Sequence, residues 1–397
     1  MPTAVPYLKE HETIARQLVA ETRRHDGLAP LDLEQFWADQ EIAIQDPFGT
    51  NIPQPPFGAI LTWETVFDEL GIEENVWRYQ HDETWQLELN RAFNNKAERI
   101  VGRRPLPETL PPKEHLWPQT KGLADVFEAR TVWHDQSWWI QQSAHTEDEL
   151  NALLDRVETR NIRDCILPPN WDKEKNRLTA LGIAPPLYRG QRGPVTFATS
   201  IYGVENLILL ILTNPDLAQR FRDAILRTIL EIARILDEEA GYDPQTAPHG
   251  WGWADDNCCL LRPEMYEFFG CPILKTVFER YAPNPNDRRF QHSDSDMAHL
   301  LPILAQLNLT EANFGPTLTV NEIRKHMPRT IIDGQLAPFT YSRNEEENMV
   351  LEFLRDFEMA REQRGLLFAT AGSINNGSRL TGMRLLMAAI QHYGKYA

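Results

Sequence analysis

Three side chains in the second half of the sequence, Asp256, Cys271 and His292, offer a carboxylate, a thiol and an imidazole, with fourteen residues between the first two and twenty between the last two. These are ligand types that zinc accepts, and a catalytic zinc site uses three protein ligands while keeping a fourth position open. Zinc or another divalent metal held in this way acts as a Lewis acid on an ether or alkoxide oxygen and makes a poor leaving group departable. Asp255, Asp294 and Glu311 add carboxylates close by in sequence, suited to moving a proton or stabilising developing positive charge. Trp251, Trp253, Asn257, Asn313 and Gln335 are candidates to bind a substrate, the indoles by stacking and the amides by hydrogen bonding. Plainer roles stay open for single residues: Asn313 or Asp333 fixing a turn, and Cys271 acting as a small apolar residue beside Pro272.

The elements that must position these groups are legible as short apolar runs alternating with longer amphipathic stretches from about residue 136 onward, the pattern of β/α units on a parallel sheet. Eight runs are candidate strands: Trp138–Gln142, Cys165–Pro168, Val195–Thr199, His249–Trp253, Arg289–His292, Leu309–Asn313, Thr330–Asp333 and Gly365–Thr370. Helices are expected over Asn214–Ala240, Pro263–Arg280 and Glu345–Arg364. In a barrel of such units reactive groups stand at the carboxyl ends of strands, which is why residues just after or late in each run are selected. The five prolines between Arg104 and Pro118 cannot run through a helix and mark a boundary. Residues 1–115 are expected to be a mostly helical extension or lid, and 116–397 the barrel. Trp63, Trp77, Trp85, Trp117, Trp133, Trp138 and Trp139 gather near that boundary, where a lid could supply a stacking pocket.

A net charge of −17 and a pI near 5.1 argue against a nucleic-acid partner, which calls for a concentrated basic surface. Four cysteines and no basic-then-apolar leader fit a reducing, cytoplasmic setting. The longest aliphatic run, Leu207 to Leu212, is far short of the roughly 20 residues that cross a bilayer, so no membrane span is expected. Glycine-rich phosphate loops, a Gly-x-Ser-x-Gly elbow, Cys-x-x-Cys and His-Glu-x-x-His are all missing.

Several blocks in the second half resemble one family in order. Gly193-Pro-Val-Thr-Phe-Ala198 precedes Gly203, Glu205 and Asn214-Pro-Asp216; Asp255-Asp256 is followed by Pro263, Tyr266, Phe269, Pro272 and Lys275; then come His292-Ser-Asp294, Asp333-Gly-Gln-Leu-Ala-Pro338 and Tyr393-Gly-Lys-Tyr396. Together they are similar to the uroporphyrinogen decarboxylase superfamily, whose fold is a (β/α)8 TIM barrel. True uroporphyrinogen decarboxylases carry an N-terminal Met-Arg-Gln-Ala-Gly-Arg segment and a C-terminal Gly-His-Gly turn. Here Thr370-Ala-Gly-Ser-Ile374 has no histidine, and Arg103-Arg104 stands in the proline-rich connection without that motif.

The nearer resemblance is to the methyltransferase components of aromatic ether O-demethylases, in which Glu-x14-Glu-x20-His is the proposed zinc site. This chain reads Asp-x14-Cys-x20-His at Asp256, Cys271 and His292. Asp294 stands where thiol-directed corrinoid methyltransferases of the superfamily have a cysteine, which disfavours a thiol acceptor. No Asp-x-His-x-x-Gly motif is present, so the resemblance implies a corrinoid supplied by a separate protein. It implies a metal-assisted methyltransferase or O-demethylase moving a methyl group from a small, aromatic methylated substrate to that protein. A cofactor-free lyase acting on a carboxylated ring and a non-catalytic ligand-binding barrel are the alternatives. Oligomeric state stays open, a homodimer included.

Overall fold

The strands of the computed structural model, which describes residues 7–186 and 189–396, are in chain order β1 (Thr131–His134), β2 (Ser137–Ile140), β3 (Trp251–Ala254), β4 (Arg289–Ser293), β5 (Glu311–Phe314), β6 (Ile331–Leu336) and β7 (Leu366–Thr370). Its longer helices include α1 (Lys9–Arg24), α2 (Glu83–Val101), α3 (Pro194–Tyr202), α4 (Pro215–Glu239), α5 (Gly270–Tyr281), α6 (Glu346–Ala360) and α7 (Leu380–Tyr393). Five of the eight expected strands form one sheet in the order β3-β4-β5-β6-β7. The β5–β6 and β6–β7 pairs are parallel, with Glu311 opposite Ile331 and Gly334 opposite Phe368. Sequence order equals sheet order, the arrangement that successive β/α units wound in one direction give.

The other three expected strands are corrected. Trp138–Gln142 contributes to an antiparallel hairpin instead, β1 pairing with β2 so that Trp133 faces Trp138. Asp135 and Gln136 at its turn both take positive φ, 47° and 59°, the geometry of a two-residue hairpin connection. Cys165 lies in the short helix Ile162–Ile166, whose first turn is capped by Asn161 accepting from the Asp164 N–H. Val195–Thr199 is the middle of α3: Pro194 takes the first helical position, where its missing N–H costs nothing. Among the described residues the sheet does not close into an eight-stranded ring. Its β7 edge is extended by an isolated parallel bridge between Phe57 and Phe368, with Gly58 N–H donating to Phe368 O at 2.8 Å.

The chain forms two compact units. One takes the chain up to Thr109, His292–Leu301 and the chain from Leu309; the other takes Leu110–Gln291 and Pro302–Asn308. The first cut between the units, after Thr109, lies within the proline-rich stretch Arg104–Pro118. The N-terminal helices share a unit with β5, β6 and β7, where α1 packs on α6 and α2 on α7. Phe353 of α6 meets Phe368 of β7 edge to face at 5.0 Å, one of the contacts that seat this helix on the sheet. In the middle unit α4 buries Phe221, Ile225, Ile229 and Ile232 along one face, and Asn214 caps it by accepting from the Leu217 N–H.

Pro263–Arg280 is two helices rather than one, Pro263–Phe268 and α5, with the break at Phe269. No single helix among the described residues is long and apolar enough to cross a membrane, and the one pair that reaches the length, α3 with Val204–Thr213, bends by 101°.

Candidate functional site

In the middle unit the end of β3 is clamped to the start of α3. Gly193 N–H donates to Ala254 O at 2.8 Å, the Asp255 carboxylate accepts from Thr196 N–H at 2.7 Å, and Thr196 Oγ1 accepts from Asn257 N–H at 2.9 Å. Asn257 Nδ2 donates to Thr199 Oγ1 at 2.7 Å. A Cβ on residue 193 would stand 2.2 Å from Asp255 Cβ and 2.5 Å from Ala254 O, so the close approach requires glycine. The Gly193-Pro-Val-Thr196 segment therefore fixes the turn that presents Asp256, which is half-buried at the start of a 3-10 turn.

Asp255 was expected to do chemistry, and the structure assigns it a different task. Its side chain is fully enclosed, and it serves as an anion at the amino end of α3. Burial pushes its carboxyl up to about 6, against the opposing hydrogen bond from Thr196. Its folded-state pKa lies above the unfolded one, so the folded state holds the extra proton and stability falls as pH rises from about 4 to about 6. Urea unfolding of chelated protein across this range is expected to show Asp255→Asn gaining roughly 2–3 kcal/mol relative to the parent as pH rises. A pH-independent difference between the two proteins would contradict the shift.

Trp251 and Trp253 do not line an open pocket. They are 5% and 1% exposed, lie 5.3 Å apart, and Trp251 packs 5.1 Å from Tyr281 at the end of α5. Alternation along the strand turns both toward the helix layer, while Gly252 faces the other way, against Phe290. Of the gathered tryptophans, Trp63 stacks on Tyr79 at 5.9 Å and Trp117 packs against Trp171 at 5.2 Å, which gives them packing roles in separate units.

Cys271 is the second residue of α5, partly buried, and burial with the nearby Glu267 charge pushes its thiol up to about 11. No group of three ligand-type side chains among the described residues includes it.

In the terminal unit His292 and Asp294 stand at the carboxyl end of β4, and a ring nitrogen of one lies within 4.8 Å of a carboxylate oxygen of the other. Asn313 of β5 meets the same imidazole, its Oδ1 being 2.8 Å from His292 Nδ1. Asn313 Nδ2 donates to Asp333 O at 2.6 Å and to Thr370 O at 2.9 Å, carbonyls of β6 and β7. The amide expected to bind substrate is thus spent on the imidazole and two strands. Asp294 is walled by backbone: a Cβ on Gly315 would stand 2.3 Å from Asp294 O, and one on Gly372 2.7 Å from Asp294 Cβ.

Gln335 is 1% exposed and donates to Gly315 O at 3.2 Å and Leu318 O at 2.8 Å, so it supports the Gly315 turn rather than reaching outward. Glu311 is corrected more firmly. It opens β5, opposite the first residue of β6, and so lies at the amino end of the strand, about 10 Å from the end where barrel enzymes carry their reactive groups.

Asn313 as the partner of His292 was not read from the sequence. The available signal was its place one residue before the end of a strand that neighbours the histidine strand.

A family model described as uroporphyrinogen decarboxylase (URO-D) matches residues 177–393, more than half of the chain. Among solved structures, a methyltransferase from Methanosarcina mazei is similar with a TM-score of 0.56 at 14% identity, over 89% of this chain and 98% of that one. No curated protein matches.

Proposed function

Since the chain belongs to the uroporphyrinogen decarboxylase family, we propose that it is a metal-assisted methyltransferase of that family, built on its closed (β/α)8 barrel. Its substrate is a small, aromatic methyl ether, and the methyl acceptor is a corrinoid carried by a separate protein. The observation that carries the reading is the pairing of His292 with Asp294 on one turn at the carboxyl end of β4.

Asp256, the carboxylate that the sequence spacing puts in the ligand set, completes that set in our proposal. Asp294 replaces Cys271, the ligand suggested by spacing, and Cys271 becomes a helix residue. One imidazole and two carboxylates fit a divalent cation such as zinc and leave a position for substrate. A cation held there supplies Lewis acidity toward the ether oxygen of the substrate. The chain's own contribution is to fix the ligands: the Gly193–Thr196 segment and Asp255 hold the Asp256 turn, and Gly315 and Gly372 hold the Asp294 turn. The similar solved structure from Methanosarcina mazei is a methyltransferase, which agrees with this direction.

Incubation with reduced cobalamin and a panel of aryl methyl ethers tests the proposal. The expected result is methylcobalamin and free phenol in equal amounts, abolished by a chelator and restored by zinc. Carbon dioxide release from carboxylated rings that survives chelation, with no methyl transfer, would replace this reading with that of a cofactor-free lyase.

A further inference from the structure

We infer that Asn313 is a positioning residue that fixes His292 in the tautomer with its proton on Nδ1, so that Nε2 carries the lone pair. A carboxamide has two unlike ends, an oxygen that only accepts and an NH2 that only donates. Two backbone carbonyls, of Asp333 at 2.6 Å and Thr370 at 2.9 Å, face one end of the Asn313 side chain. Carbonyls only accept, so that end is the NH2 group. Turning the amide over would set its oxygen against two oxygens inside a residue that is 5% exposed, where no water could relieve the clash.

The oxygen end therefore faces His292 Nδ1 at 2.8 Å, and a hydrogen bond there needs the proton on Nδ1. Free histidine in water favours the opposite form, with the proton on Nε2. Three strands share in the selection, since the amide sits on β5 while its anchors are backbone atoms of β6 and β7. The tautomer follows from this hydrogen-bond geometry whether or not a cation binds. Its use, presenting Nε2 as a ligand, rests on the function proposed above, where an outer partner of this kind typically changes metal affinity 10–100-fold.

The test is the nitrogen-15 spectrum of the full chain, metal-free and labelled at histidine, at mildly alkaline pH where imidazoles are neutral. His292→Gln identifies the His292 signals by their loss. The wild-type His292 is expected to show a pyrrole-type Nδ1 and a pyridine-type Nε2. In Asn313→Leu the assignment is expected to reverse, whereas Asn313→Asp, whose inner oxygen must carry a proton to meet the two carbonyls and whose outer oxygen still accepts from Nδ1, is expected to retain it. A protonated Nε2 in the wild type would overturn the inference even if neither variant folds, and so would an unchanged pattern in folded Asn313→Leu. Zinc competition on the same samples separates the two claims. A wild type with the expected tautomer but no zinc binding leaves Asn313 in its role and removes the cation.

Discussion

His292→Ala is expected to lower bound zinc from about one equivalent per chain to near none, while Cys271→Ala is expected to leave it unchanged. The imidazole is the only nitrogen ligand in the proposed set, and its loss leaves two carboxylates, a donor pair better suited to weakly held hard cations than to zinc. The drop in affinity should exceed the 10–100-fold that loss of an outer hydrogen-bond partner produces. Cys271 gives the sharper comparison, because the sequence spacing assigns it a ligand role and the structure places it in the first turn of α5 with a thiol pushed up to about 11. Metal analysis after gel filtration against a limiting zinc buffer reads both variants. Equal zinc loss in both would restore the spacing-based site; no loss in His292→Ala would remove the proposed one.

The second large effect concerns the turn that presents Asp256. Gly193→Ala is expected to destabilise the protein by about 3 kcal/mol or more, because the added methyl would meet Asp255 Cβ at 2.2 Å and backbone atoms of residues 254 and 255 at 2.5 Å. None of these atoms is the free end of a flexible side chain, so relief requires β3 to move from α3 and breaks the Gly193–Ala254 hydrogen bond. Gly122→Ala is the matched control, its nearest neighbour being a side-chain atom 3.8 Å away, and should stay within about 1 kcal/mol of the parent. Chemical unfolding of the two variants measures the contrast. Similar midpoints would mean that the junction is looser than its distances indicate.

The later strands were legible because each is a short apolar run bounded by turn residues. Leu366–Thr370 falls wholly within its expected range, whereas Ile331–Leu336 shares residues 331–333 with the expected Thr330–Asp333 and runs on to Leu336. Val195–Thr199 looks like a strand because of its β-branched residues, while the stronger signal is the proline at residue 194, which starts a helix whose third residue has its N–H taken by a carboxylate far along the chain. That partner is invisible to local pattern. The Phe57 bridge to β7 is hidden for a related reason: it directly follows Pro55 and Pro56, which cannot donate to a strand ladder, and pairing at a sheet edge needs only a few residues.

Residue type and a place at or after the end of an apolar run are what single out His292, Asp256 and Asp294 in the sequence. What the sequence could not supply was direction. A two-residue shift in where β5 begins moved Glu311 to the wrong end of its strand. Strand parity turned Trp251 and Trp253 toward α5 instead of toward a ligand. Asn257, Asn313 and Gln335 have the right chemistry to bind a substrate, but their hydrogen bonds are committed to Thr199, to His292 with two strand carbonyls, and to the Gly315 turn. Residue type gives a side chain's capacity; only the packed neighbours decide where that capacity is spent.

The most direct measurement is the zinc-edge X-ray absorption spectrum of the zinc-loaded protein. Ligation by His292, Asp256 and Asp294 is expected to give a first shell of nitrogen and oxygen alone, at about 2.0–2.1 Å, with imidazole outer-shell scattering that disappears in His292→Ala. A sulfur scatterer at about 2.3 Å, lost in Cys271→Ala, would contradict that ligand set.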